Sequence, residues 1–324
     1  MLKTKFAIGC LVQWYELDII PSYVESLKAA IQVYDGEVDI DMKLVVNQKL
    51  EKTSMTDEEF ESIELKVFNM FHDLQQYCKG GLVFVDTRHD LYTISDYRRE
   101  FNERYCNEVD VLIWGESDML VPKQMFDALN GLHQVQSEQT PKYLATFAGC
   151  KMWDESWKAL EHPEFTTFTH SDSKEDWWSL NYDMTLDEMN SINDKVEKLD
   201  VAVIQPHKFN GCGLVISSEV IKAGVNIPKS AFFVHEDTAM MLMTQKVLGN
   251  IPQYHFTNIL MVHNRKHKDK RNYIAGEVGN TVGQKRNSNR WYTVANQMCE
   301  QNVYNMFNPQ YKSFNWKDVW SQLK

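Results

Sequence analysis

The chain has 324 residues, 43% of them hydrophobic, with nine Trp, sixteen Phe and fourteen Tyr, which is enough for a large core and excludes wholesale disorder. Its 45 acids outnumber 34 Lys and Arg, and the net charge of −11 argues against broad attraction to nucleic acid or anionic lipid. Six cysteines (Cys10, Cys78, Cys106, Cys150, Cys212, Cys299) lack C-x-x-C spacing, which suits reduced thiols and not a structural zinc site.

In chain order, Phe6 to Val12 reads as a buried strand, and Ile20-Pro21 opens the helical pattern Tyr23, Val24, Leu27, Ala30, Ile31. The first apolar run ends at Gln13 without a small-residue cleavage site. No stretch approaches the ~20 apolar residues that span a bilayer. A soluble cytoplasmic protein is expected, in the host cytoplasm if a phage encodes it. Val38 to Val46 is a second strand, ending at Asn47. Thr56-Asp57-Glu58-Glu59 has capping-box form, and Phe60, Ile63, Val67, Phe68, Phe71, Leu74 and Cys78 keep helical spacing up to Gly80-Gly81.

Leu82 to Val85 gives a third strand, Ser95-Asp96 starts a helix through Tyr105, and Val109 to Trp114 gives the next strand. Pro122 is placed to begin the following helix. After a strand from Tyr143 to Phe147, residues 151–200 are rich in Trp, Asp, Glu, Ser and His and read as a long functional loop or lid. Val201 to Ile204 and Leu214 to Ile216 are later strands, Asp237 to Leu248 is a Met-rich helix closed by Gly249, and Tyr254 to Val262 is a last strand. Strands alternating with helices predict an α/β fold with a mostly parallel central sheet flanked by helices, whose ligands bind at the carboxyl ends of the strands.

Glu116-Ser117-Asp118 lies at such an end. In an extended segment residues i and i+2 point the same way, so both acids can face one divalent cation. His235-Glu236-Asp237 opens the Met-rich helix, and His263 follows the last strand. Three separated stretches therefore supply oxygen and imidazole donors fit for an ion that holds a diphosphate.

In this order the motifs resemble those of GT-A nucleotide-sugar glycosyltransferases, particularly the family-two-like inverting members, over roughly residues 5–265. Glu116-Ser117-Asp118 stands where that family carries D-x-D, with Glu116 departing from the usual first Asp. Gly211-Cys212-Gly213-Leu214 resembles its glycine-rich strand entry, and Glu236-Asp237-Thr238 its acid pair at a helix start. The resemblance implies a donor half in residues 1–150 and an acceptor half with lid loops in 151–324, within one GT-A domain. It also implies a Mn²⁺ or Mg²⁺ ion on Glu116, Asp118 and His263, and Asp237, with Glu236, as the catalytic acids. The nucleotide-sugar donor, uridine-linked in this reading, would meet Val12, Trp14, Asn47, Arg98, Arg99, Glu116, Lys266 and Arg271. The acceptor would meet Trp177, Trp178, Gly211 and Cys212, and its class ranges over a saccharide, a lipid-linked or protein hydroxyl, and a modified base in phage DNA.

Plainer readings stand beside these. The acid triplet can be a solvated turn, Glu236-Asp237 a helix cap, His263 a hydrogen-bonded structural residue, Trp177 and Trp178 core anchors, and Cys212 a small packing residue. Residues 264–290 carry eight Lys or Arg against two acids, either a lid over a diphosphate or a solvated surface. Two other functions remain on this reading. Sugar-phosphate nucleotidyl transfer is disfavoured by Val12-Gln13-Trp14-Tyr15-Glu16 where such enzymes carry a glycine-rich basic loop, and a non-catalytic carbohydrate-binding or assembly protein is kept alive by Glu116.

Overall fold

The computed structural model describes residues 3–13, 19–47, 56–77, 80–89, 92–150, 152, 155–166, 184–208, 211–231, 235–264, 301–302, 305, 307–308 and 310. In chain order these give β1 (Phe6–Gln13), α1 (Ile20–Val33), β2 (Val38–Asn47), α2 (Asp57–Gln75), β3 (Leu82–His89), α3 (Ile94–Tyr105), β4 (Val111–Glu116) and β5 (Met119–Leu120). There follow α4 (Met125–Gln136), β6 (Leu144–Ala148), a 3₁₀ turn (Glu155–Leu160), α5 (Leu186–Asn193), β7 (Val201–Val203) and β8 (Val215–Ser217). Last come α6 (Ser218–Lys222), α7 (Glu236–Leu248), β9 (Gln253–Leu260) and β10 (Val262–His263). No helix among the described residues is long and apolar enough to cross a membrane.

Eight strands form one sheet in the order β3-β2-β1-β4-β8-β6-β9-β7. Six run in one direction, and only β8 and β7 oppose them. The fold is thus the expected α/β arrangement with a mostly parallel sheet between helices. The alternation of β1 shows how both faces are covered. Phe6, Ile8, Cys10 and Val12 join the cluster under α1, α2 and α4, whereas Ala7 and Leu11 join the one under α3, α6 and α7. A strand buried on both faces reads as a continuous apolar run, as this one does.

Local signals explain most boundaries. Thr56 and Glu59 form the expected capping box, with the Thr56 N–H donating to Glu59 Oε2 (2.8 Å) and the Glu59 N–H to Thr56 Oγ1 (3.2 Å). Helix α3 starts one residue earlier than Ser95, because Thr93 is its N-cap and donates its N–H to Asp96 Oδ2 at 3.1 Å. Pro122 does not begin α4. Its carbonyl accepts the Met125 N–H at 2.9 Å in a tight turn, and the α-helix follows from Met125. Strand β3 continues beyond Val85 to His89, paired in register with β2 up to Asn47. Within residues 151–200 the structure shows ordered elements where a continuous loop was expected, the 3₁₀ turn and α5, the latter capped by Thr185 and Glu188.

Two features position the site. Helix α3 is bound to β2 by the buried Asp41 carboxylate, which accepts from the Tyr97 and Tyr105 hydroxyls at 2.9 and 3.1 Å. It is bound to β4 by the Trp114 indole N–H on Asn102 Oδ1 at 3.0 Å. The second feature is a break in the last strand. Tyr254 to Val262 is not one strand: the β6–β9 register shifts at Phe147/Ala148, the Met261 N–H bonds Ala148 O (2.8 Å), and the chain then swings over to pair as β10 with β5.

His255 on β9 is fully buried, its Nδ1 3.1 Å from Thr146 Oγ1, and burial pulls its pKa down to about 4. A His depressed in the folded state supports the fold fully above its ordinary pKa near 6.5, and that support is lost as pH falls from 6.5 through 4. Urea unfolding should therefore show His255→Gln losing less stability than wild type on this acid limb, by roughly 3 kcal/mol at pH 4. Parallel acid limbs for the two proteins would refute the assignment.

Candidate active site

The acid triplet sits where the topology directs it. Strand β4 ends at Glu116, and a tight turn carries Ser117 and Asp118 into β5. Strand β10 lies antiparallel to β5, with His263 opposite Met119 and the Asn264 N–H donating to Asp118 O at 2.6 Å. This two-residue ribbon brings His263 Nε2 within 3.1 Å of Glu116 Oε2 and 3.2 Å of Asp118 Oδ1. Three side chains from two distant stretches thus converge on one point. Carboxylate oxygens plus one imidazole are a donor set that Mn²⁺ and Mg²⁺ accept, so the residues present fit such an ion.

Behind the triplet lies Arg98 of α3, almost wholly buried. Its Nη2 donates to Glu116 Oε1 at 2.6 Å and to Gly211 O at 2.9 Å, and its Nη1 donates to Glu236 Oε1 at 2.5 Å. The guanidinium also lies over the Trp114 ring, 4.7 Å from its centroid. A planar fork suits two carboxylates better than an ammonium would. Burial opposes its charge, but Glu236 and Glu116 outweigh that and hold the guanidinium protonated.

The carboxylates respond in opposite directions. Burial pushes Glu116 up, yet the His263 hydrogen bond and charge, with Arg98, hold it well below the usual range. Burial raises Glu236 more than Arg98 lowers it, with the Asp237 charge adding to the rise. Asp237 is raised too, chiefly by burial, against the Thr238 N–H that donates to its Oδ1 at 2.6 Å. Both acids stand in the first turn of α7, where the helix dipole favours them. The turn is entered through His235, whose left-handed backbone (φ 63°, ψ 24°) is uncommon for a non-glycine residue.

The remaining expected positions divide. Gly211 and Cys212 lie beside the acids. Arg99 does not: its guanidinium is taken up by the carbonyls of Ile227, Pro228 and Ala231 and by Asp96, so it staples α3 to the 227–231 loop. The Val12 side chain is in the core under α1, leaving only its backbone for a ligand, and Asn47 ends β2 opposite His89. Trp14, Trp177, Trp178, Lys266 and Arg271 lie outside the described residues.

Sequence reasoning did not find the role of Arg98 as a clamp between Glu116 and Glu236, having read it as a donor contact. Nor did it place Cys212 beside His263. The visible signal for the latter was the glycine on each side of that cysteine.

No protein-family model and no curated protein matches the chain. Among solved structures it is similar to S. aureus TarS 1-349 in complex with UDP, at 10% identity over 98% of this chain and 75% of that one, with a TM-score of 0.48. TarS 1-349 in complex with UDP-GlcNAc matches at 10% identity over 79% and 57%, TM-score 0.46, and S. aureus TarS at 8% over 95% and 44%, TM-score 0.48. The chain therefore spans under half the length of that last protein.

Replacing Arg98 by Met would leave Glu116 and Glu236 facing each other without their shared cation. Removing one partner of a buried ion pair costs roughly 3–5 kcal/mol. Urea titrations of Arg98→Met should show a loss of that size at pH 8 and a smaller one at pH 5, where the stranded acids take up protons. A variant as stable as wild type at pH 8 would show that the clamp holds nothing together.

Proposed function

We propose that the chain is a glycosyltransferase that moves a sugar from a nucleoside diphosphate donor to an acceptor hydroxyl. The observation that carries this reading is the convergence of Glu116, Asp118 and His263 at the carboxyl end of β4, with Glu236 and Asp237 across Arg98. Glu116 Oε2, Asp118 Oδ1 and His263 Nε2 would hold Mn²⁺ or Mg²⁺. When bound, such an ion offsets the negative charge that grows on a departing diphosphate.

The protein's own groups do the rest. Arg98 grips Oε1 of Glu116, so the carboxylate presents Oε2 in a fixed direction. Asp237 is assigned as general base, taking the proton from the acceptor hydroxyl as its oxygen attacks the anomeric carbon. Its raised pKa moves it toward neutral pH, where a base is most effective. Glu236, held by Arg98, positions the start of α7 and with it Asp237. The donor nucleotide is assigned as uridine diphosphate, and the acceptor as a hydroxyl-bearing saccharide, lipid-linked, protein or nucleic-acid group.

A panel of UDP-, GDP- and CMP-sugars with Mn²⁺ tests this. Wild type should hydrolyse one donor slowly in the absence of acceptor, and Asp118→Ala should lower that rate by about 100-fold or more. Asp237→Asn should keep the donor-induced rise in melting temperature while losing about 10²–10⁴-fold in transfer. If every donor fails to bind and to turn over, with Mn²⁺ or without, the reading is wrong.

A further inference from the structure

We propose that Cys212 gives this site a second ligand set, Glu116–Cys212–His263, for a thiophilic divalent cation of the zinc and cobalt class. It shares Glu116 and His263 with the Mn²⁺ or Mg²⁺ set and exchanges Asp118 for a thiolate. The inference rests on the metal half of the proposed function, and not on sugar transfer.

One donor atom from each of Glu116, Cys212 and His263 lies within 4.8 Å of the other two. Within the set, Glu116 and His263 already approach to 3.1 Å, Oε2 to Nε2. A tetrahedral zinc ion, with Zn–S of about 2.3 Å and Zn–N or Zn–O of about 2.0–2.1 Å, sets its ligand atoms about 3.3–3.6 Å apart. The 4.8 Å bound leaves at most about 1.5 Å between the present separations and those of a closed zinc site. Oxygen, nitrogen and sulfur together are what zinc and cobalt accept, whereas Mn²⁺ and Mg²⁺ prefer the oxygen-rich alternative.

The thiol is held at this place by its neighbours. The Gly211 carbonyl accepts from Arg98, and a Cβ at 211 would run into the Arg98 guanidinium. Gly213 has φ +70°, a Cβ there would collide with the Met261 sulfur, and its N–H donates to Trp114 O at 2.8 Å. Both flanks of Cys212 are thus pinned to the structure around β4, one on Arg98 and one on the strand itself, and neither tolerates a side chain. The buried Tyr23 hydroxyl, which has no hydrogen-bond partner among the described residues, comes up against Gly115 in the same strand. Coordination converts the thiol to thiolate and releases its proton to solvent, so affinity rises with pH.

Cobalt reports thiolate ligation directly. Co²⁺ titrated into the full chain should bind with a near-ultraviolet sulfur-to-cobalt charge-transfer band, which Cys212→Ser loses and Asp118→Asn keeps. Zinc affinity, read by competition with a chromophoric chelator, should fall in Cys212→Ser by more than about 100-fold, the upper figure for disturbing only an outer-shell partner. Mn²⁺ binding, followed by electron paramagnetic resonance, should persist in that variant. Should Cys212→Ser misfold by circular dichroism, zinc protection of Cys212 from iodoacetamide, located in wild type by mass spectrometry, tests the same contact. Cobalt bound without the band, or an alkylation rate indifferent to zinc, overturns the thiolate set and leaves the sugar-transfer reading standing. Wild type that binds neither Co²⁺ nor Mn²⁺ overturns both metal assignments.

Discussion

The structure around the site depends on one buried cation, the guanidinium of Arg98. An unpaired charge in a protein interior is costly enough that the surroundings must supply counter-charges or the group will not stay. Here the counter-charges come from β4 through Glu116 and from α7 through Glu236, and the loop before β8 adds the Gly211 carbonyl. Four segments, from residue 98 to residue 236, must therefore meet at one side chain. The Trp114 ring beneath it, itself tied to Asn102 on the same helix, fixes the height at which they meet.

That arrangement separates the acids by acidity. Glu116 shares its two oxygens between Arg98 on one side and His263 on the other, and the positive neighbours keep it ionised. For Asp237 burial outweighs the help of its neighbours, which include the Arg98 and His235 charges. It leans on a backbone N–H of its own helix and on the more distant Arg98 field, and burial raises it. Two carboxylates pushed apart in acidity within one cluster are the arrangement acid–base chemistry uses.

Much of this was legible in the sequence, and the rest was not, for identifiable reasons. Apolar runs such as Phe6 to Val12 announce a strand covered on both faces, and Thr56 with Glu59 announces a helix start through a local hydrogen-bond exchange. Glu116, Asp118, Glu236, Asp237 and His263 could be singled out because strand and helix ends are visible in the pattern. The ribbon of β5 and β10 could not, since two residues are too few to show a period of two. A buried Arg98 is spelled like an exposed one, and only three-dimensional packing reveals that it faces two acids while Arg99, its neighbour, faces the carbonyls of the 227–231 loop. Pro122 was misplaced because a tight turn and the first turn of a helix use proline equally well.

The strand order has a consequence for how the chain may be divided. Strand β8, from residues beyond 200, is inserted between β4 and β6, and β6 is in turn flanked by β8 and β9. A cut near residue 150 would leave β6 on a fragment that contains neither of its partners, and would strand the imidazole on the other piece. The protein is a weave across that point, and insertions or fusions that respect its integrity belong at the outer edges, beside β3 or β7.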